Sequence, residues 1–245
     1  MDRLIYLSMA GAKATMQRQD VLAHNLANVS TTGFRAEMQA FRAVPVRGDG
    51  ASTRVYALES TIGADTRPGP VQTTGRPLDV AVQGSSLLAV QSLDGTEGYT
   101  RAGSLQVSTE GTLVTPNGLP VMGDGGPITV PVNALIEIAA NGSISATVPG
   151  AAGGRPQPVG RLKLVTAEAP LLRGTDGLFR AGDGSDLTAD SEARVQSGAL
   201  EGSNVSAIET MVSMIAAARQ FEQQMKMLQG AEQREQGAAK LLAPQ

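Results

Sequence analysis

The chain has 245 residues, 41% hydrophobic and 18% charged, a balance that predicts a folded protein rather than a disordered one. A formal charge of −3 and an aromatic content of 3% argue against a nucleic-acid surface, which needs basic stripes and stacking rings. The absence of cysteine excludes disulfides and thiolate metal sites, while 29 glycines and 13 prolines predict many turns.

Residues 2–28 contain one glycine, Gly11, and no proline. Apolar residues recur at steps of four and three: Ile5, Met9, Ala12, Met16, Ala23 and Leu26, with only Gln19 breaking the row. That spacing predicts a helix with a coiled-coil seam. The segment lacks the apolar core of about 7–15 residues that marks a secretory signal peptide. No run in the chain approaches the ~18 apolar residues of a membrane-spanning helix, so no membrane insertion is expected. His24, the sole histidine, reads as a polar residue on the helix face.

Residues 31–75 are broken by Pro45, Gly48, Gly50, Gly63, Pro68, Gly69, Pro70 and Gly75. They predict an extended connector with one strand near Val55–Leu58. Residues 76–203 read as a central domain of short, mainly antiparallel strands. Leu78–Val82 alternates with period two, and Asn141-Gly142 joins two alternating runs as a hairpin. The glycines at 123, 125 and 126 are followed by Pro127 and a strand, so they form a loop rather than a phosphate cradle. Asp183, Asp186 and Asp190 lack the ligand spacing of a calcium loop and read as turn residues. No nucleophile or phosphate-binding motif stands in a strand-to-helix context. The expectation is a non-enzyme without cofactor or metal.

At the far end, Ser206 and Glu209 have capping-box spacing, with Asn204 as an alternative cap. Ala207, Met211, Met214, Ala218, Phe221, Met225 and Leu228 then repeat the four-three rhythm. The fold expected is α+β. Long N- and C-terminal helices (1–30 and 204–245) pair in a coiled-coil-like manner, and the β domain is inserted between them. Such a pair leaves Ile208, Val212 and Ile215 exposed, which points to burial against other subunits. The flexible side chains of Met211, Met214 and Met225 suit neighbours of differing surface.

The most specific segment is Asn25-Leu26-Ala27-Asn28-Val29-Ser30-Thr31-Thr32-Gly33-Phe34-Arg35. Asn25 and Asn28 lie one turn apart, Thr31 can bond within the turn, Gly33 supplies freedom of φ, and Phe34 can anchor the outgoing chain. The whole segment strongly resembles the N-terminal signature of the bacterial flagellar axial proteins of rod and hook. Arg76–Gly84, Tyr99–Ser104 and Leu200–Val205 are similar to further segments of that family. Met1–Tyr6, Phe41–Val46, Gly126–Pro131 and Gly160–Leu164 look like its proximal-rod members rather than its distal-rod members.

The resemblance implies a structural subunit of the basal-body rod in the periplasm, exported without a cleaved leader by the flagellar type III apparatus. It implies helical assembly with copies of itself and with other rod proteins, to transmit motor torque. Asn25, Leu26, Ala27, Asn28, Thr31, Gly33 and Phe34 carry the motif. Met211, Met214, Phe221, Met225 and Leu228 are the candidate assembly row. A distal-rod protein of the same family is the nearer alternative, and a periplasmic peptidoglycan-binding or -modifying module is the alternative of a different class.

Overall fold

The computed structural model describes residues 2–45, 55–131, 133–149 and 155–242. The chain divides into two compact units. One comprises Met1–Val29, Glu37–Ile62 and Val205–Gln245; the other comprises Ser30–Ala36 and Gly63–Asn204. The class is α+β, with one helix near each end and many antiparallel strands between. Among the described residues no helix is long and apolar enough to cross a membrane.

The first unit holds α1 (Asp2–Ala27), β1 (Glu37–Pro45), most of β2 (Val55–Ala64) and α2 (Ala207–Leu242). β1 and β2 pair in a two-stranded sheet, where the sequence had suggested a connector with one strand. The glycines and prolines read as connector signals sit mostly outside these strands, and Gly48 and Gly50 lie outside the described residues. Ser206 caps α2, its Oγ accepting from the Glu209 backbone N–H at 3.4 Å.

α1 and α2 contact each other, through rows that only partly coincide with those the apolar spacing marks. A side chain added at Gly11 would stand 3.1 Å from the Gln224 side chain. Ser8 and Thr15 are buried on the Gly11 face, and Thr210 and Ala217 precede Gln224 at steps of seven. Met9 (54% exposed), Met16 (58%), Met211 (48%) and Met225 (37%) turn away. In both helices the contact therefore keeps one column of the apolar row, with Ala12, Leu26, Met214, Phe221 and Leu228 half-buried, and moves the other one residue N-terminal, from Met9 and Met16 to Ser8 and Thr15 and from Met211 and Met225 to Thr210 and Gln224. Small side chains let the two helices approach closely, and Thr15 keeps its hydroxyl satisfied by donating to the Gly11 carbonyl at 2.9 Å.

The second unit carries the hydrophobic core. β3 (Val71–Thr73), β4 (Val80–Val82), β5 (Leu87–Gln91) and β6 (Glu97–Thr100) open it. A five-stranded antiparallel sheet runs in the order Leu164–Val165, β5, β6, Phe179–Ala181, Leu171–Arg173. Strand β5 is buried on both faces. Leu88 and Val90 enter the main core with Leu105, Leu113, Val121 and Ile144, while Leu87 and Ala89 pack with Tyr99 and Val165.

A second sheet runs Leu135–Ile138, Ser143–Thr147, Gln157–Arg161. Its alternation is visible in the buried Ile136, Ile138, Ile144 and Ala146. The Asn141-Gly142 hairpin closes as its sequence predicts, with Gly142 at φ 82° donating to the Ala139 carbonyl at 2.9 Å. β4 pairs with Val195–Ser197, and β3 pairs with Ala199–Glu201.

Leu88→Ala empties a fully buried site and should cost about 2–5 kcal/mol in urea unfolding. Leu172→Ala, on the exposed edge of the same sheet, should stay within about 0.5 kcal/mol. Similar losses at both positions would contradict this placement of the core.

Candidate functional site

The Asn25–Arg35 segment runs from the last turn of α1 into the second unit. In the helical unit Asn25 is buried, and its side chain makes two bonds to one residue. Oδ1 accepts from the Glu37 N–H at 2.8 Å, and Nδ2 donates to the Glu37 carbonyl at 3.0 Å. The amide thus mimics a neighbouring strand and fixes the first residue of β1. Asn28 donates through Nδ2 to the His24 carbonyl at 2.9 Å, satisfying a helix-end acceptor. Leu26 is half-buried and Ala27 is exposed.

In the β unit the segment turns sharply. The Thr31 carbonyl accepts from Phe34 N–H at 3.3 Å, with Thr31 itself exposed. Gly33 has φ 69° and donates to the Glu201 carbonyl at 2.8 Å. A Cβ there would stand 2.3 Å from the Arg101 carbonyl carbon, so both conformation and space require glycine. Phe34 is buried, with the Arg173 guanidinium 4.5 Å from its ring centroid.

Arg35 leads to the centre of the arrangement. Glu201, 1% exposed, stands between Arg35 (2.6 Å) and Arg101 (2.8 Å), both also buried. It further accepts from the Gly69 N–H at 2.9 Å. Arg101 reaches on to the carbonyls of Ser86 and Gly84. Burial pulls the Arg101 guanidinium below its ordinary value, and the Glu201 charge opposes that.

Beside this triad, Asn204 joins three segments. Its Oδ1 accepts from Ala36 N–H at 2.7 Å, and its Nδ2 donates to the carbonyls of Asp65 and Arg67 at 3.0 Å. Hydrogen bonds from the Arg67 side chain hold the Asp65 carboxyl below its ordinary range. One buried carboxylate and one amide therefore bind residues 33–36, 65–69, 101 and 201–204 into a single knot.

The helix row lies apart from this knot in the sequence. Met211 and Met225 are exposed, while Met214, Phe221 and Leu228 are half-buried. Alongside them stand Ile208 (76% exposed), Val212 (61%) and Ile215 (55%), which continue the apolar face.

Arg101 stands in one of the segments that carry the family resemblance, and Glu201 and Asn204 in another, but nothing in the sequence joins the two. Glu201 lies 100 positions from Arg101 and 166 from Arg35, and no periodicity links such distances. The acidic turn behaves locally: Asp183 accepts from Ser185, and Asp190 from Thr166 and Glu192. Among the described residues no group of three or more His, Cys, Asp or Glu could hold a metal ion.

Glu201→Gln leaves two buried guanidinium groups without their counter-charge. It should destabilise the chain by about 3–5 kcal/mol in urea unfolding. A loss below about 1 kcal/mol would mean that the pair is solvated and holds nothing together.

Comparison with known proteins bears on the same segments. Residues 5–35 match the family "Flagella basal body rod protein". Residues 81–146 match "Flagellar hook protein FlgE/F/G D1 domain", and residues 196–241 match "Flagellar basal body rod FlgEFG protein C-terminal". The chain is 51% identical to the flagellar basal-body rod protein FlgF of Salmonella typhimurium over 250 residues, covering 99% of each chain. FlgF of Escherichia coli matches at the same identity and coverage. FlgG of Bacillus subtilis is 30% identical over 92% of this chain and 94% of its own. The Asn25–Arg35 turn, the Arg101 strand end and the Glu201 entry to α2 thus fall within three matched regions, and the chain belongs to the flagellar basal-body rod protein family.

Proposed function

We propose that this chain is a structural subunit of the proximal section of the flagellar basal-body rod. In this reading it packs helically against copies of itself and against other rod proteins, and torque crosses the periplasm through those contacts. The role is mechanical rather than catalytic. The subunit travels through the flagellar type III export apparatus on its way to the basal body.

One observation carries the reading. Part of each apolar row turns away from the chain's own helix pair, at Met9 and Met16 in α1 and at Met211 and Met225 in α2, and Ile208, Val212 and Ile215 stand mostly exposed. Large exposed apolar side chains in a row are surface that an assembly buries. Met211 and Met225 extend the row with side chains that adapt to unlike neighbours. Asn25, Asn28, Thr31, Gly33 and Phe34 would serve assembly indirectly, by fixing how the chain leaves α1. The identity of 51% to two FlgF proteins, against 30% to a FlgG, favours the proximal section.

The test is complementation in a flagellated bacterium lacking its own copy. Ile208→Asp, Val212→Asp and Ile215→Asp together should abolish motility and leave basal bodies without a completed rod. Because all three are exposed, each should change monomer unfolding by no more than about 0.5 kcal/mol. Motile cells carrying the triple variant would sink the assembly role of this face. Cell-wall hydrolysis by the purified protein, abolished by changing one carboxylate, would instead favour the peptidoglycan-modifying alternative.

A further inference from the structure

The second unit contains a cleft and a projection whose chemistries complement each other, at opposite ends of the same hairpin. The cleft has a volume of about 160 Å³. Its walls are largely apolar, from Leu87, Pro170, Leu171 and Phe179, and both Arg35 and Arg101 line it. An apolar cavity of about 150 Å³ accommodates a benzene-sized group, so the space suits one side chain.

The charge at the cleft is positive. Of its charged lining residues two are cations, Arg35 and Arg101, and one is a carboxylate, Asp65. Arg67 occupies Asp65 through both carboxylate oxygens. Arg35 is 5% exposed and spends one guanidinium nitrogen on Glu201; among the described residues its side chain makes no other hydrogen bond or ion pair. A buried guanidinium with donors to spare beside apolar walls favours a carboxylate carried on an apolar neighbour.

Such a pair projects from the β5–β6 turn. Leu93 is 94% exposed, the most exposed of the large hydrophobic residues described. Asp94 follows it. Its Oδ1 accepts from the N–H and hydroxyl of Thr96, at 2.9 and 2.6 Å, and those bonds hold the carboxyl below its ordinary range. Neither bond uses its Oδ2. The nearby Arg180 is already engaged by Asp176. The turn is closed by Ser92 N–H to the Thr96 carbonyl at 2.8 Å, so the tip is presented rigidly.

Cleft and tip cannot meet within one chain. Ser85, Leu87 and Arg101 line the cleft at the open end of the hairpin, and Leu93 stands at its closed end. At ~3.3 Å per residue the two are on the order of 20 Å apart. We propose that the Leu93–Asp94 tip of one copy seats in the Arg35 cleft of the next copy. Leu93 fills the apolar walls and Asp94 meets the spare guanidinium donors. The contact is head-to-tail, so it leaves a free tip and a free cleft at the two ends and propagates as an open row. This deepens the rod reading by naming a contact outside the helices, and it rests on the chain being an assembling subunit.

The natural absence of cysteine makes the test clean. Purified Leu93→Cys and Ala169→Cys variants are mixed and oxidised mildly with diamide; Ala169 is an exposed residue of the cleft wall. The control partner is Thr109→Cys, at an exposed position that does not line the cleft. The disulfide-linked dimer should form about tenfold more readily with Ala169→Cys than with this control, because docking raises the effective concentration. Adding Asp94→Lys to the Leu93→Cys chain should remove the excess through like-charge repulsion. Equal yields with both partners, or an excess indifferent to Asp94→Lys, overturn the contact. Complementation separates this from the rod reading. A chain that builds rods without forming the excess dimer loses only this contact, whereas a chain that forms the dimer but builds no rods loses only the rod assignment.

Discussion

The arrangement of the β unit near its chain crossings depends on one buried carboxylate. Glu201 lies between two arginines that come from distant parts of the chain, and its own backbone carbonyl receives Gly33. A buried ion is costly unless geometry satisfies it, and here it meets two guanidinium groups and a backbone N–H. Such a site is poor evidence of extra stability over an apolar core. Its value is specificity: a shifted segment would leave a bare charge in the interior. Asn204 adds a neutral version of the same constraint, since its amide fits one arrangement of the three segments it touches.

A subunit that transmits force needs its strand entries and exits fixed, and these bonds concentrate there. The segments knotted by Glu201 and Asn204 include residues 33–36, 65–69 and 201–204, close to three of the four places where the chain passes between its two units. In the helical unit Asn25 does comparable work on β1, with a side chain in place of a strand. The signature segment is therefore a pair of local fixings, one at each side of a chain crossing, and its residues have separate physical tasks.

Much of this was legible in the sequence, and the rest was hidden for identifiable reasons. The two helices were legible because four-three spacing survives any context, and the Asn141-Gly142 hairpin because its turn chemistry is local. One column of each helix-facing row, that of Met9 and Met16 and of Met211 and Met225, stands one residue away from the buried positions. Apolar spacing reports where large side chains lie, and here the contact uses Gly11, Thr15 and Ala217 instead. The β1–β2 pair was obscured by glycine and proline on either side of it. Glu201 and Arg101 were invisible as a pair, because a long-range ion pair leaves no periodic trace. Of the two cap candidates, Ser206 performs that role, which leaves Asn204 for other partners.

The one-residue offset between the rows has a consequence for how such a subunit can change over time. The row that pairs the two helices and the row of exposed methionines occupy different azimuths of the same two helices. In the proposed assembly, substitution at Met9, Met16, Met211 or Met225 would alter which neighbour is preferred while leaving the buried Ser8, Thr15 and Ala217 untouched. Folding and partner choice thus become nearly independent variables. Duplicated chains can keep a common internal pairing while diverging outwardly, which is what a shaft assembled from related but unequal subunits requires.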